Sequence, residues 1–199
     1  MIKLIICDIG GVVEDFSERK YIEYICGKHR ISKGEFRSVF MPMLDKVEVG
    51  KETTYNMLGV LARRFGIKAK DLEFSSSFAK LAKPNLDVVK LINSLHKRYA
   101  VVLLTNVSRS RYLENSRVGL FRDVGHERIF ASCYLGMAKP DRRIYRYVLD
   151  RMGFVPGEAI FIDDKQTNVR GASAVGIRGI RFTGYGRLVR ELKNAGIRW

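Results

Sequence analysis

The chain has 199 residues, 46% of them hydrophobic and 29% charged. Such a chain forms one soluble globular domain, with room for a modest insertion, and is not collagen-like, disordered or a disulfide scaffold. Its charge is lopsided: 36 Lys and Arg against 21 Asp and Glu give +15, a field that attracts phosphorylated metabolites, nucleic acid or acidic surfaces.

Ile2–Cys7 is a short apolar run followed at once by Gly10-Gly11, which predicts a buried strand ending in a tight loop. The next stretch, from about Asp15 to Lys83, has no convincing strand. Ser17 can cap a helix carrying Tyr21, Ile22, Tyr24 and Ile25, and Ser32-Lys33-Gly34-Glu35 reads as a capping box before Phe36, Val39 and Phe40. Pro42 is expected to bend or end that helix. Thr53 can cap a third helix ended by Gly66, and Asp71–Leu81 predicts a weaker fourth one. From there strand and helix alternate. Strands are predicted at residues 100–105, Ile129–Cys133, 159–162 and Ile177–Phe182, and helices at Leu86–Arg98, Asp141–Met152 and Asn168–Val175. This rhythm predicts an α/β core, a parallel sheet covered on both faces, with a helical block inserted after its first strand.

No apolar run approaches the ~20 residues of a spanning helix, and the opening run is too short for a signal peptide, so no membrane partner is expected. Cys7, Cys26 and Cys133 have no metal spacing and suit a reducing cytoplasm, the expected location. His29, His96 and His126 show no ligand spacing either. Residues 165–199 hold eight basic residues against Glu191 alone, but no helix-turn-helix, zinc finger or aromatic-flanked RNA motif accompanies them.

Open parallel sheets bind ligands beyond the carboxyl ends of their strands. There the sequence places Asp8 with Gly10 and Gly11, then Thr105-Asn106, then Lys139-Pro140-Asp141, then Asp163-Asp164 with Asn168. Each alone reads equally well as a cap or a solvated loop residue. Together, carboxylates this close need a cation between them, and hard oxygen ligands beside a phosphate select Mg²⁺. Such a set suits phosphoryl transfer to a carboxylate nucleophile, with lysine and backbone N–H groups neutralising charge.

These segments resemble the four motifs of the haloacid dehalogenase-like (HAD) hydrolases, in order and across nearly the whole chain. They are Cys7-Asp8-Ile9-Gly10-Gly11-Val12-Val13, Leu103-Leu104-Thr105-Asn106, Gly136-Met137-Ala138-Lys139-Pro140-Asp141, and Phe161-Ile162-Asp163-Asp164. The resemblance implies a Rossmann-like core from residues 1–14 and 84–199, and a helical cap of the first type from residues 15–83. It implies Asp8 as nucleophile and metal ligand and the Gly10 carbonyl as a second ligand. Asp164 would bind Mg²⁺ directly and Asp163 through water. Thr105, Asn106, Lys139, Gly10 and Gly11 would hold the phosphate, with Thr105 and Lys139 also catalytic. The implied activity is Mg²⁺-dependent hydrolysis of a small phosphorylated metabolite through an aspartyl-phosphate.

One departure matters. Most phosphatases of this family carry a second Asp two residues after the nucleophile, as general acid and base, and Gly10 stands there. General acid–base help contributes ~10²–10⁴ in rate. From Gly10 alone, the expectation is a preference for aryl, acyl or anomeric sugar phosphates. Glu14 and Asp15 are the nearest other acids. The alternatives are metal-independent 2-haloacid dehalogenation, which also lacks the second Asp, and a non-enzymatic protein binding nucleic acid or protein through its basic surface. In the cap, Phe16, Tyr21, Tyr24, Phe40, Met41 and Met43 are candidates to line the cleft, although aromatics at helical spacing commonly form core.

Overall fold

A computed structural model describes residues 1–72, 82–117 and 128–199. Its elements begin with β1 (Leu4–Cys7), α1 (Glu18–His29), α2 (Lys33–Glu48), α3 (Thr54–Phe65), α4 (Leu86–Leu95), β2 (Ala100–Thr105) and α5 (Arg109–Arg117). There follow β3 (Ile129–Ala131), α6 (Ser132–Leu135), α7 (Arg142–Met152), β4 (Ala159–Asp163), α8 (Gln166–Ser173), β5 (Arg178–Arg181) and α9 (Tyr185–Asn194). The expected helix Asp71–Leu81 falls almost wholly outside the described residues, as does His126; Asp71 itself ends a 3-10 turn.

β1 lies at the centre of a parallel sheet of order β3-β2-β1-β4-β5. Side chains alternate across a strand, so β1 feeds two cores. Ile5 and Cys7 pack with Val88 and Leu91 of α4 and with Leu188 and Leu192 of α9. Leu4 and Ile6 pack on the opposite face with Ile144, Tyr145 and Val148 of α7 and Ala172 of α8. Burial on both faces is why these strands read as continuous apolar runs. All three cysteines are buried and free. Among the described residues no helix is long and apolar enough to cross a membrane.

The helical block leaves and rejoins the core through one paired stem. The Asp15 N–H donates to the Lys83 carbonyl at 2.8 Å, and the Asn85 N–H to the Val13 carbonyl at 2.8 Å. Beyond the stem, α1, α2 and α3 enclose a separate core of Tyr21, Ile25, Phe36, Phe40, Met57 and Leu61. Ser17, Ser32 and Thr53 cap the three helices as expected, and Gly66 ends α3 in the left-handed conformation.

Two local expectations change. Pro42 sits inside α2 without ending it. It faces solvent while Phe36, Phe40, Leu44 and Val47 bury the other side, so the helix keeps its packing through the lost hydrogen bond. The strand expected to reach Cys133 stops at Ala131. The Ser132 hydroxyl accepts instead from the Val107 N–H at 2.9 Å, and the chain turns into α6.

Phe40 is fully buried, its ring 5.2 Å from Tyr21 and 5.6 Å from Phe36 between centroids. Phe40→Ala should therefore cost ~3–5 kcal/mol, read as a lowered urea midpoint. A midpoint shift equivalent to less than ~1 kcal/mol would contradict the packed core described for this block.

Candidate active site

The carboxyl ends of β1, β2 and β4 open into a cleft of about 760 Å³, counted out to its mouth. Asp8, Gly10, Thr105, Asn106, Lys139 and Asp164 line it from the core; Phe16, Glu18, Leu44 and Glu48 line it from the helical block.

Lys139, in the loop before α7, is the hub. Its buried ammonium meets Asp8 Oδ1 at 2.6 Å and donates to Asp163 Oδ2 at 2.8 Å and to the Leu104 carbonyl at 2.8 Å. These three partners match its three protons. Asp163 is held firmly by the protein. Its Oδ1 accepts from the Lys165 N–H at 2.8 Å, and both its oxygens accept from the Asn168 amide at 3.0 Å. Asp164 differs, because its Oδ1 is buried with no hydrogen-bond partner.

Oxygens of Asp8, Asp163 and Asp164 lie within 4.8 Å of one another. Burial pushes Asp8 up to about 7 against the opposing charge of Lys139, with Asp163 and Asp164 adding to the rise. Burial and the Asp163 charge push Asp164 up to about 6. Burial disfavours the Lys139 ammonium, yet Asp163 and Asp8 outweigh it and hold its pKa above that of an ordinary lysine. One lysine therefore does not balance the crowded acids. The all-oxygen donor set and the orphaned Asp164 oxygen fit a hard divalent cation.

Gly11 makes this closeness sterically feasible. Its φ is +80°, and a Cβ built there would stand 2.6 Å from the Asp164 carboxyl carbon. Gly10 is less constrained, since a Cβ would meet only the Phe16 carbonyl oxygen at 3.8 Å. Thr105 is buried and faces the cleft. Asn106 lines the cleft too, but its side chain is committed elsewhere. Its amide donates to the Lys139 carbonyl at 2.9 Å and its carbonyl accepts from the Lys139 N–H at 2.9 Å. Asn106 thus fastens the lysine loop to the end of β2.

The two alternative acids part company. Glu14 faces the cleft, with both oxygens accepting from Arg111 Nη2 at 2.7 and 2.8 Å. Asp15 is exposed and pairs with Lys20. Of the aromatics and methionines considered, only Phe16 lines the cleft. Tyr21 and Phe40 are core, and Tyr24, Met41 and Met43 pack against that core. Sequence reasoning missed Ser108, Arg111, Asn115, Lys165, Glu18 and Glu48, all of which line the cleft. The strand-end rule, carried two turns into the helix after β2, would have reached Arg111 and Asn115. The helical-block residues carry no comparable signal.

The family model of haloacid dehalogenase-like hydrolases matches residues 2–176. A sesquiterpene phosphatase of Aspergillus oryzae is 33% identical over 102 residues, 51% of this chain and 52% of its own length. A D-ribitol-5-phosphate phosphatase of Bacteroides thetaiotaomicron is 24% identical over 181 residues, 85% of this chain and 86% of its own. The first two curated relatives are spanned over only 28% and 52% of their lengths. In fold, the chain superposes on a HAD family enzyme of Bacteroides thetaiotaomicron solved with magnesium and inorganic phosphate. The TM-score is 0.74 at 21% identity, covering 91% of this chain and 94% of that one. A match over residues 2–176 together with this sheet places the protein in a family: the chain belongs to the haloacid dehalogenase-like hydrolases.

Proposed function

We propose that the protein is a Mg²⁺-dependent phosphomonoester hydrolase acting on a small phosphorylated metabolite through an aspartyl-phosphate on Asp8. The observation that carries this reading is Lys139 held 2.6 Å from Asp8 beside the unpartnered oxygen of Asp164. The phosphatase names of the two relatives support the reaction class. The magnesium and phosphate in the Bacteroides enzyme support the cofactor.

In this reading Asp8, Asp164 and the Gly10 carbonyl would hold Mg²⁺, with Asp163 linked to it through water. Bound there, the ion supplies positive charge that lets a carboxylate approach an anionic phosphate. Thr105 and Lys139 orient the phosphate, and the backbone at Gly10 and Gly11 lies close beside it. Asn106 acts mainly by anchoring the Lys139 loop. An Asp8 oxygen attacks phosphorus, the bond to the ester oxygen breaks, and the alcohol leaves. Water then attacks the aspartyl-phosphate, phosphate departs, and Asp8 is regenerated. Residues 15–83 serve as a cap on a core of residues 1–14 and 84–199, closing over the cleft about the stem at Asp15 and Lys83 and excluding water. The paired acids at Asp163 and Asp164, with an oxygen of Asp164 unpartnered, fit a Mg²⁺ site and so favour this reading over metal-free dehalogenation.

Phosphate release from a phosphomonoester panel should require Mg²⁺, stop with a chelator, and fall at least ~10³-fold in Asp8→Asn. Metal-independent chloride release from a haloacid, with no phosphatase activity, would overturn the proposal. Gly11→Ala should destabilise the fold by ~1–3 kcal/mol and weaken Mg²⁺ activation together, because the new methyl group displaces Asp164. Unchanged thermal melting and unchanged Mg²⁺ dependence in that variant would contradict the packing at Gly11.

A further inference from the structure

The position that usually carries the family's acid–base carboxylate is Gly10, so the proton for the leaving oxygen has to come from elsewhere in the cleft. Five carboxylates line it: Asp8, Glu14, Glu18, Glu48 and Asp164. Asp8 is ion-paired with Lys139 and Glu14 with Arg111. Glu18 is paired with Lys165 at 2.6 Å. Asp164 sits in the acidic cluster with Asp8 and Asp163. Glu48 stands apart from that cluster: it lies in the cleft, part-buried, at the last residue of α2, and its carboxylate forms no hydrogen bond or ion pair with any described residue.

Its place is built into the fold. Leu44, one turn earlier on the same helix face, also lines the cleft. Just after the helix, Gly50 adopts φ +72°, and a Cβ there would stand 2.7 Å from the Cys133 carbonyl oxygen of α6. The end of α2 is thus pressed onto the core beside the site, a contact that only glycine permits. This docking holds Glu48 on the helical-block wall, facing the cleft that Asp8 lines from the core.

Resting on the phosphomonoester reading above, we propose that Glu48 is the catalytic acid and base of this protein, supplied by the helical block in place of the missing side chain at Gly10. In the first step an Asp8 oxygen bonds to phosphorus, the bond from phosphorus to the ester oxygen breaks, and the Glu48 proton goes to that oxygen. In the second step the Glu48 carboxylate takes a proton from water. The water oxygen bonds to phosphorus, the bond to Asp8 breaks, and hydrogen phosphate leaves with Asp8 and protonated Glu48 restored. The surroundings suit both states: burial, Glu18 and Asp45 push Glu48 up to about 7, while Lys165 and Lys139 oppose the rise. An acid poised near neutral pH balances giving and taking a proton. The preference expected from Gly10 alone is accordingly revised, and wild type should also hydrolyse phosphates of simple alcohols.

The test compares Glu48→Gln with wild type on simple alkyl phosphates and on 4-nitrophenyl phosphate, with Asp8→Asn as control and thermal melting to check folding. On alkyl phosphates Glu48→Gln should lose ~10²–10³-fold in kcat/KM. The fall in wild-type kcat/KM as pH rises through about 7, where Glu48 loses its proton, should vanish in the variant. On 4-nitrophenyl phosphate, whose leaving group needs no proton, Glu48→Gln should give a stoichiometric burst of nitrophenolate and then slow turnover, because the second step lacks its base. Three results would overturn the proposal: a wild type inert to alkyl phosphates, a variant within about threefold of wild type on them, or equal losses on both substrates with no burst. Turnover surviving in Asp8→Asn would instead sink the aspartyl-phosphate reading, so the two failures are distinct.

Discussion

The structure turns on one electrostatic constraint: Asp8, Asp163 and Asp164 bring oxygens within 4.8 Å of one another in a largely buried pocket. At that spacing two carboxylates repel by about 3 kcal/mol even at an effective dielectric of about 20. Lys139 answers part of the repulsion by touching Asp8 and Asp163 at once, and the Leu104 carbonyl takes its remaining proton. Asp164 stays outside that arrangement with an oxygen unpaired. A protein that only needed stability would gain by replacing the unpaired Asp164 with an apolar residue. Keeping all three is sensible where a cation and an anionic substrate share the pocket.

The fold serves this constraint at each level. Parallel strands β1, β2 and β4 end at one edge and bring Asp8, Thr105 and Asp163 together from distant parts of the chain. Gly11 lets the first loop pass against Asp164, and Asn106 ties the loop bearing Lys139 to β2. Opposite them, the helical block has its own core and meets the sheet domain through its paired stem, the Gly50 contact with Cys133 and the Glu18–Lys165 ion pair. Phe16, Glu18, Leu44 and Glu48 form its cleft-facing wall.

The strands and the core-side acids were legible because both obey local rules. Runs such as Ile160-Phe161-Ile162 are apolar because both faces are buried, and a polar residue at their end has to face the site. What eluded sequence reasoning was tertiary. Asn106 looks like a free donor until the Lys139 backbone is seen to take both ends of its amide. Tyr21 and Phe40 carry the same helical spacing whether they face a cleft or a core, and packing with Phe36 decides for the core. Glu48 is one glutamate at the end of an amphipathic helix. Its meaning comes from Gly50 docking on Cys133, a contact between positions with no shared sequence signal.

The central claim is that the unpartnered Asp164 and Asp8 grip one divalent cation. Calorimetric titration of Mg²⁺ into wild type and Asp164→Asn tests it without any turnover. The account predicts a single site in wild type and at least ~10-fold weaker binding in the variant. Equal Mg²⁺ affinity in the two proteins, both fully folded, would contradict it.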